Sequence, residues 1–332
     1  MSVSETLAKE AAAQSDAAVV IIGRTAGEDK DNTAKEGSYL LTSQEENLLK
    51  TVCTAFSRVI VLLNVGNIID MKWVKKYNPA AVLYVWQGGQ EGGSGVVDIL
   101  TGEISPSGKL SDTIAYDIMD YPSTEGFGDP QRAIYHEDIY VGYRYFETFS
   151  RDKVLYPFGF GLSYTDFKIE CIEFSVKESD FTEKVLVTNI GNVPGKEVIQ
   201  IYAEAPQGVL GKATRSLCAF AKTKNLQPGQ SETLEFVVPF SRLSSYDDSG
   251  ITGFRSAYVL EPGRYTIYTG NSIRNAAISG TFSISETKVL EQLTEACSPV
   301  TPFDRIHTVS TPVGYRVSYE PVSLRTYSMK AR

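Results

Sequence analysis

AAVVIIGRTAGEDKDN, residues 17–32, begins as a short, almost wholly apolar run and ends as a charged loop punctuated by glycine. A run like 17–23 has the pattern of a β-strand buried on both faces, as the strands of parallel sheets are. Residues 59–64 (VIVLLN) and 81–86 (AVLYVW) repeat it. Between the first two runs, residues 43–56 open with Ser43 three positions before Glu46, the spacing of a capping box, and then place Leu48, Leu49, Val52 and Cys53 at helical intervals. Further helices are expected over 69–76 and 92–100. Strands alternating with helices build an open α/β sheet, whose ligands lie beyond the carboxyl ends of the strands. The 24–32 loop leaves the first strand at that end.

The pattern changes character near residue 165. Residues 167–176, 183–189, 196–204, 216–221, 231–238, 264–270 and 277–284 are seven candidate strands without a helical period. Turn signals separate them: Gly191-Asn192, Pro194-Gly195, Gln227-Pro228-Gly229 and Glu261-Pro262-Gly263. Such a series predicts an antiparallel sandwich of immunoglobulin or fibronectin type III shape. From residue 298 several prolines and few apolar runs indicate an extended tail. The expected organisation is an incomplete α/β open sheet over 1–120, an aromatic-rich connector over 121–165, an all-β sandwich over 166–287, and a tail or linker over 288–332.

Length and composition agree with more than one domain. At 332 residues the chain accommodates two domains of about 100–170 residues, each with its own core. Lys plus Arg (32) against Asp plus Glu (40) gives a net charge of −8, a field that repels phosphate backbones and anionic lipid, so nucleic acid is not an expected partner. No apolar run reaches the roughly 18 residues of a membrane span, so no membrane association is expected. Cys53, Cys171, Cys218 and Cys297 form no CxxC pair, and His136 and His307 are far apart, so neither a metal nor a cofactor is expected. The N-terminal stretch carries charges where a signal peptide needs a continuous apolar segment. The expected location is cytoplasmic, with reduced thiols.

Three stretches bear on chemistry, each with two readings. Glu28, flanked by Gly27 and acidic neighbours, has the setting of a general acid with a raised pKa, or belongs to a solvated acidic loop. WQGGQEGG, residues 86–93, follows another buried strand. Its glycines permit a phosphate cradle or a tight turn, and the absence of GxGxxG and P-loop spacing speaks against the cradle. Glu91 within it competes weakly with Glu28, or caps the next helix. The aromatic runs 135–146 and 156–164 suit sugar rings, whose faces are apolar, or they glue two domains together. His136 reads as a hydrogen-bonded surface or interface residue, because no nucleophile motif accompanies it.

GRTAGEDKDN, VWQGGQEGG, LTGEISPSGKLSDT, EDIYVGYRYFET and YPFGFGLSYTDF, in that order, resemble the C-terminal region of glycoside hydrolase family 3, the β-glucosidase family. VTNIGNVPGKEVIQIYAEAP, LQPGQSETLEFVVP and YVLEPGRYTIYTGNS resemble the fibronectin type III-like domain that follows it in the family. The resemblance implies retaining hydrolysis with an Asp nucleophile on a separate (β/α)8 barrel and a Glu acid/base on a loop of the α/β domain. Glu28 matches that acid/base. Arg24, Asp31 and Asn32 of the same loop, and Tyr140 of the aromatic run, are the candidate substrate contacts, with Asn32 standing where many members have Arg. No barrel is present, the α/β domain starts late, and residues 299–332 resemble a linker to a downstream barrel.

The expectation is therefore the acid/base-bearing part of a β-glucosidase-like hydrolase acting on a β-glucoside or oligosaccharide, inactive until a barrel supplies the nucleophile. A barrel domain or a second copy of the chain is the expected partner. The alternative is a non-catalytic carbohydrate- or subunit-binding module. On either view an exposed apolar patch rimmed by Tyr135, Tyr140, Tyr143 and Tyr145 is expected.

Overall fold

The computed structural model describes residues 3–25, 31–129, 131–295 and 298–324. The chain divides into two units, Met1–Ile104 with Ile114–Asp120, and Ser105–Thr113 with Tyr121–Arg332.

In the first unit, α1 (Glu5–Ala12) is capped by the Ser4 hydroxyl, which accepts from Leu7 N, and packs on α2 (Ser43–Ala55). No helix over α1 is expected from the sequence, where its apolar stripe is nearly all alanine. β1 (Ala18–Gly23), β2 (Val59–Asn64) and β3 (Ala81–Tyr84) form a parallel sheet in that order, with Ala18 opposite Val59 and Ile60 opposite Ala81. Two further helices follow β2 and β3: α3 (Lys72–Tyr77), closed by Asn78 in the left-handed conformation, and α4 (Gly92–Thr101). Val20, Ile22, Leu49, Val52, Val61, Leu63 and Trp73 make the core. Each such aliphatic side chain contributes about 1.5–3 kcal/mol on full burial.

Two local expectations are corrected here. The capping box of α2 is Thr42 with Glu45, one residue earlier than Ser43 with Glu46. β1 is not buried on both faces: it is an edge strand, and Val19 and Ile21 are 50% and 64% exposed. Apolar alternation is lost in a continuous run, so the pattern cannot tell one covered face from two.

In the second unit, Val154–Tyr156 (β5) follows α5 (Tyr143–Phe149), and Ile114–Ala115 (β4) belongs to the first unit. The seven expected strands are all present. β6 (Phe167–Val176), β7 (Asp180–Asn189) and β10 (Ser231–Pro239) form one antiparallel sheet in the order β10-β7-β6. β8 (Val198–Glu204), β9 (Ser216–Lys222), β13 (Gly263–Gly270) and β14 (Ala277–Ile284) form the other, ordered β14-β13-β8-β9. Phe181, Val185, Val187, Ile199, Ile201, Phe236, Tyr265 and Ile267 fill the space between them. Buried side chains alternate with more exposed ones along much of β7, β10 and β13, as a sandwich requires.

Asn189, fully buried, pins the β7–β8 turn. Its amide donates to the carbonyls of Val193 and Leu226, and its Oδ1 accepts from the Thr165 hydroxyl and Gly191 N. A Cβ on Gly191 would sit 2.2 Å from that hydroxyl, so only glycine fits. The segment 121–165, expected as a connector, belongs with the sandwich. Tyr143 stacks on Phe158 with centroids 4.4 Å apart, and its hydroxyl accepts from Leu217 N.

Of the expected tail, the described residues 288–295 and 298–324 are mostly strand. β15 (Lys288–Gln292) completes a small sheet with β12 (Ala257–Leu260) and β11 (Ser245–Asp247). β16 (Asp304–Thr311) and β17 (Gly314–Pro321) form a hairpin with a two-residue turn. Arg305 on β16 holds the hairpin in place through Asp138, Asp248 and Glu320.

Candidate active site

The carboxyl ends of β1 and β2 open into a cavity of about 580 Å³, lined by Gly23, Arg24, Thr25, Asp31, Asn32, Gly37, Ser38, Val65, Gly66, Asn67 and Ile69. The strands end in step there, Arg24 N donating to Asn64 O at 3.1 Å. Three of the four expected substrate contacts lie on its wall. Glu28 falls in 26–30, outside the described residues, and the residues that flank this segment, Thr25 and Asp31, both line the cavity.

Arg24 spends all of its donors inside the protein. Nε donates to Ser38 O, Nη1 to Gly23 O and Glu45, and Nη2 to Leu40 O and Glu45, the last at 2.9 Å. A guanidinium has five N–H groups, and here each has an acceptor. Its part is to fasten the end of β1 to the chain entering α2. Glu45 serves two masters, since its Oε2 also accepts from Thr42 N in the capping box. Burial works to raise the Glu45 carboxyl, but hydrogen bonds from Arg24 and Thr42 outweigh it and hold the group below the usual carboxylate range.

Asn32 donates to the Ile68 carbonyl at 2.8 Å and ties the loop to the segment after β2. Thr33 N donates to the Ser38 hydroxyl, and Gly37, at φ +77°, returns the chain with its N–H on Leu40 O. Asp31 is exposed and is the one carboxylate among the described lining residues. The wall thus offers a carboxylate, amides, a hydroxyl and backbone groups, a set suited to a polyhydroxylated ligand. Among the described residues no group of acids, thiols and imidazoles stands ready to hold a metal.

Tyr140, the fourth expected contact, is corrected. It lies in the second unit, is 2% exposed, and its hydroxyl is bonded to Thr308 while its ring meets Phe149. Tyr143 and Tyr145 are partly buried by Phe158 and by Phe146 with Phe149, so of the four expected rim residues only Tyr135, 74% exposed, faces solvent. His136 is hydrogen-bonded to the Asp304 carbonyl. Glu91 stands at the N-terminus of α4 and accepts from the Ser94 hydroxyl at 3.0 Å. In the adjoining turn a Cβ on Gly88 would lie 2.9 Å from Gly92 Cα, so the glycine serves the tight turn. Ser38, Gly66 and Asn67 were not singled out from sequence. The signal for the last two was present, because Val65-Gly66-Asn67 leaves β2 at the same sheet edge as the 24–32 loop leaves β1.

An open parallel sheet with a polar cavity at its carboxyl edge, joined in sequence to a seven-stranded sandwich, is the architecture of an α/β domain followed by a fibronectin-type domain. Residues 2–164 match the glycosyl hydrolase family 3 C-terminal domain, and residues 197–273 the fibronectin type III-like domain. Residues 2–164 are thus a C-terminal domain of the glycoside hydrolase family 3 type. A β-glucosidase of Ruminococcus albus is 51% identical over 332 residues, covering 100% of this chain and 34% of that protein. The solved structure of a β-glucosidase from Paenibacillus barengoltzii gives a TM-score of 0.96 at 50% identity, covering 99% of this chain and 37% of that one. β-Glucosidase 3B from Thermotoga neapolitana, solved in complex with α-D-glucose, gives 0.81 at 38% identity, covering 87% and 40%. The chain spans about a third to two fifths of the length of these relatives. Among the described residues there is no (β/α)8 barrel and no helix long and apolar enough to cross a membrane.

Proposed function

We propose that this chain is the acid/base-bearing part of a β-glucosidase-like retaining hydrolase, with Glu28 as the general acid and base. The observation that carries the proposal is the polar cavity at the carboxyl edge of the sheet, walled on both flanks of the segment that holds Glu28. The matching relatives named as β-glucosidases support the substrate class. Asp31, Asn32 and the loop that Arg24 anchors hold the substrate hydroxyls and the approach of the acid.

Retention requires a second carboxyl group about 5–5.5 Å from the first, acting as nucleophile to form a glycosyl-enzyme. That Asp belongs to a (β/α)8 barrel, the proposed partner, supplied by a longer protein or another chain. Glu28 protonates the departing oxygen in the first step and takes a proton from water in the second. The proposed location is the cytoplasm, supported by the free thiols of Cys53, Cys171 and Cys218.

The test is hydrolysis of aryl β-glucosides by the purified chain with and without a family 3 barrel. The chain alone is expected to give no turnover, and in the active pair kcat/KM, which reports the first step, is expected to fall about 10²–10⁴-fold in Glu28→Gln for poor leaving groups, with far less effect on good ones. Equal slowing for both classes of leaving group would sink the assignment of Glu28.

A further inference from the structure

Although the chain carries a net charge of −8, one face of the sandwich gathers cations around an open aromatic ring. β9 is the edge strand of its sheet, and its pairing with β8 sets Lys222 opposite Val198 and Phe220 opposite Gln200. Two residues apart on one strand, Phe220 and Lys222 share a face. Phe220 is 69% exposed. Just before β8, Glu197 N donates to the Thr223 hydroxyl at 3.0 Å and Thr223 N to Glu197 O at 2.9 Å, which brings Lys196 alongside Lys222. Lys196, Lys222 and Lys224 are all exposed.

The neighbouring acids are engaged elsewhere. Glu197 is buried, its Oε1 held by Lys109 Nζ and Val198 N and its Oε2 by Asn271 Nδ2. Glu232, at the end of the row, accepts from Lys224 N at 2.7 Å. Among the described residues neither Lys196 nor Lys222 makes an ion pair. Partial burial, and after it the like charges of Lys196 and Lys109, hold the Lys222 ammonium below its usual range. An incoming anion relieves repulsion of this kind.

We infer that Phe220, Lys222 and Lys196 form a docking surface for an acidic polysaccharide, a uronate polymer of the polygalacturonate kind. A uronate carries an apolar C–H face and a carboxylate on one rigid ring, so a single sugar meets the phenyl ring and the neighbouring ammonium together, at little ordering cost. An acidic peptide carries its carboxylates on flexible stems and gains less from an aromatic face. All three residues belong to the second unit, and none takes part in the hydrolysis proposed for the first.

Calorimetric titration of the intact chain, at low and at moderate salt, with polygalacturonate, its uncharged methyl ester and polyglutamate tests the surface. Polygalacturonate is expected to bind, less tightly as salt rises, and its methyl ester about fivefold more weakly. Phe220→Ser and Lys222→Gln are each expected to weaken binding about fivefold with an unchanged thermal midpoint. Lys177→Gln, which removes the same charge from an exposed position elsewhere on the sandwich, is expected to leave binding as it was. Polyglutamate binding as tightly as polygalacturonate, with no loss in Phe220→Ser, makes the partner an acidic protein and overturns the proposal. Equal weakening in Lys177→Gln, equal binding of the methyl ester, or no binding heat at low salt overturns it as well.

Discussion

Glu183 is a fully buried carboxyl group on β7 of the sandwich. It is 0% exposed, its Oε1 accepts from the Thr269 hydroxyl at 2.7 Å, and its Oε2 is buried without a partner. Burial pushes its pKa up, against the pull of the hydrogen bond from the Thr269 hydroxyl. The folded state therefore retains a proton that the unfolded chain releases near the ordinary value of about 4.3. The stabilisation is complete below that pH and is lost as pH rises through the higher folded value. Glu183→Gln is expected to flatten this dependence and to raise the urea midpoint at pH 8 relative to wild type, with a gain on the order of 1 kcal/mol, the scale of relieving an unmet buried polar group. Unfolding curves at pH 5 and pH 8 check it, and equal pH slopes for the two proteins would contradict it. The position was partly legible: Phe181, Glu183, Val185 and Val187 share one face by simple alternation. A strand started at Glu183 hides this, because a terminal residue is not held to the alternation. Tyr140 shows the opposite limit, since nothing local to an aromatic run says which ring the distant Thr308 will claim.

At the scale of elements, α2 is the clearest case. TSQEE fits a capping box in two frames, Thr42 with Glu45 and Ser43 with Glu46. The first is taken because Arg24, 21 residues away in sequence, grips Glu45, while Glu46 turns to Lys76 and Tyr77. No local pattern carries that choice. Thr42→Ala is expected to cost about 1 kcal/mol of stability, and Ser43→Ala a few tenths. Thermal unfolding of the two variants separates the frames, and a larger loss in Ser43→Ala would reverse the assignment. The hairpin of β16 and β17 was more legible than its prolines suggest. Ile306, Thr308 and the turn at Pro312-Val313 before Gly314, at φ +131°, give alternation and a reversal. The short polar strands hid it, because their burial comes from packing against α5 rather than from their own hydrophobicity.

Across the whole molecule, order of stability should follow order of burial. β8 is an inner strand of its sheet with five consecutive buried residues, whereas β1 is an edge strand with one face largely open. Local opening is easiest where few apolar contacts close over the backbone. Hydrogen exchange followed by mass spectrometry is expected to show peptides of β1 exchanging well before those of β8, and equal protection of the two would refute this. The division into two architectures was legible because continuous apolar runs and alternating strands differ in pattern over tens of residues. The state of each strand's second face was not, because a neighbour in space decides it. The saturated guanidinium of Arg24 bears on how the cavity can be re-engineered. Anyone grafting the 24–38 segment into another scaffold inherits an obligation at a remote site: without a glutamate at the position equivalent to 45, the transplanted Arg24 arrives as an unneutralised cation with no anchor. Loop and helix cap form a single cassette.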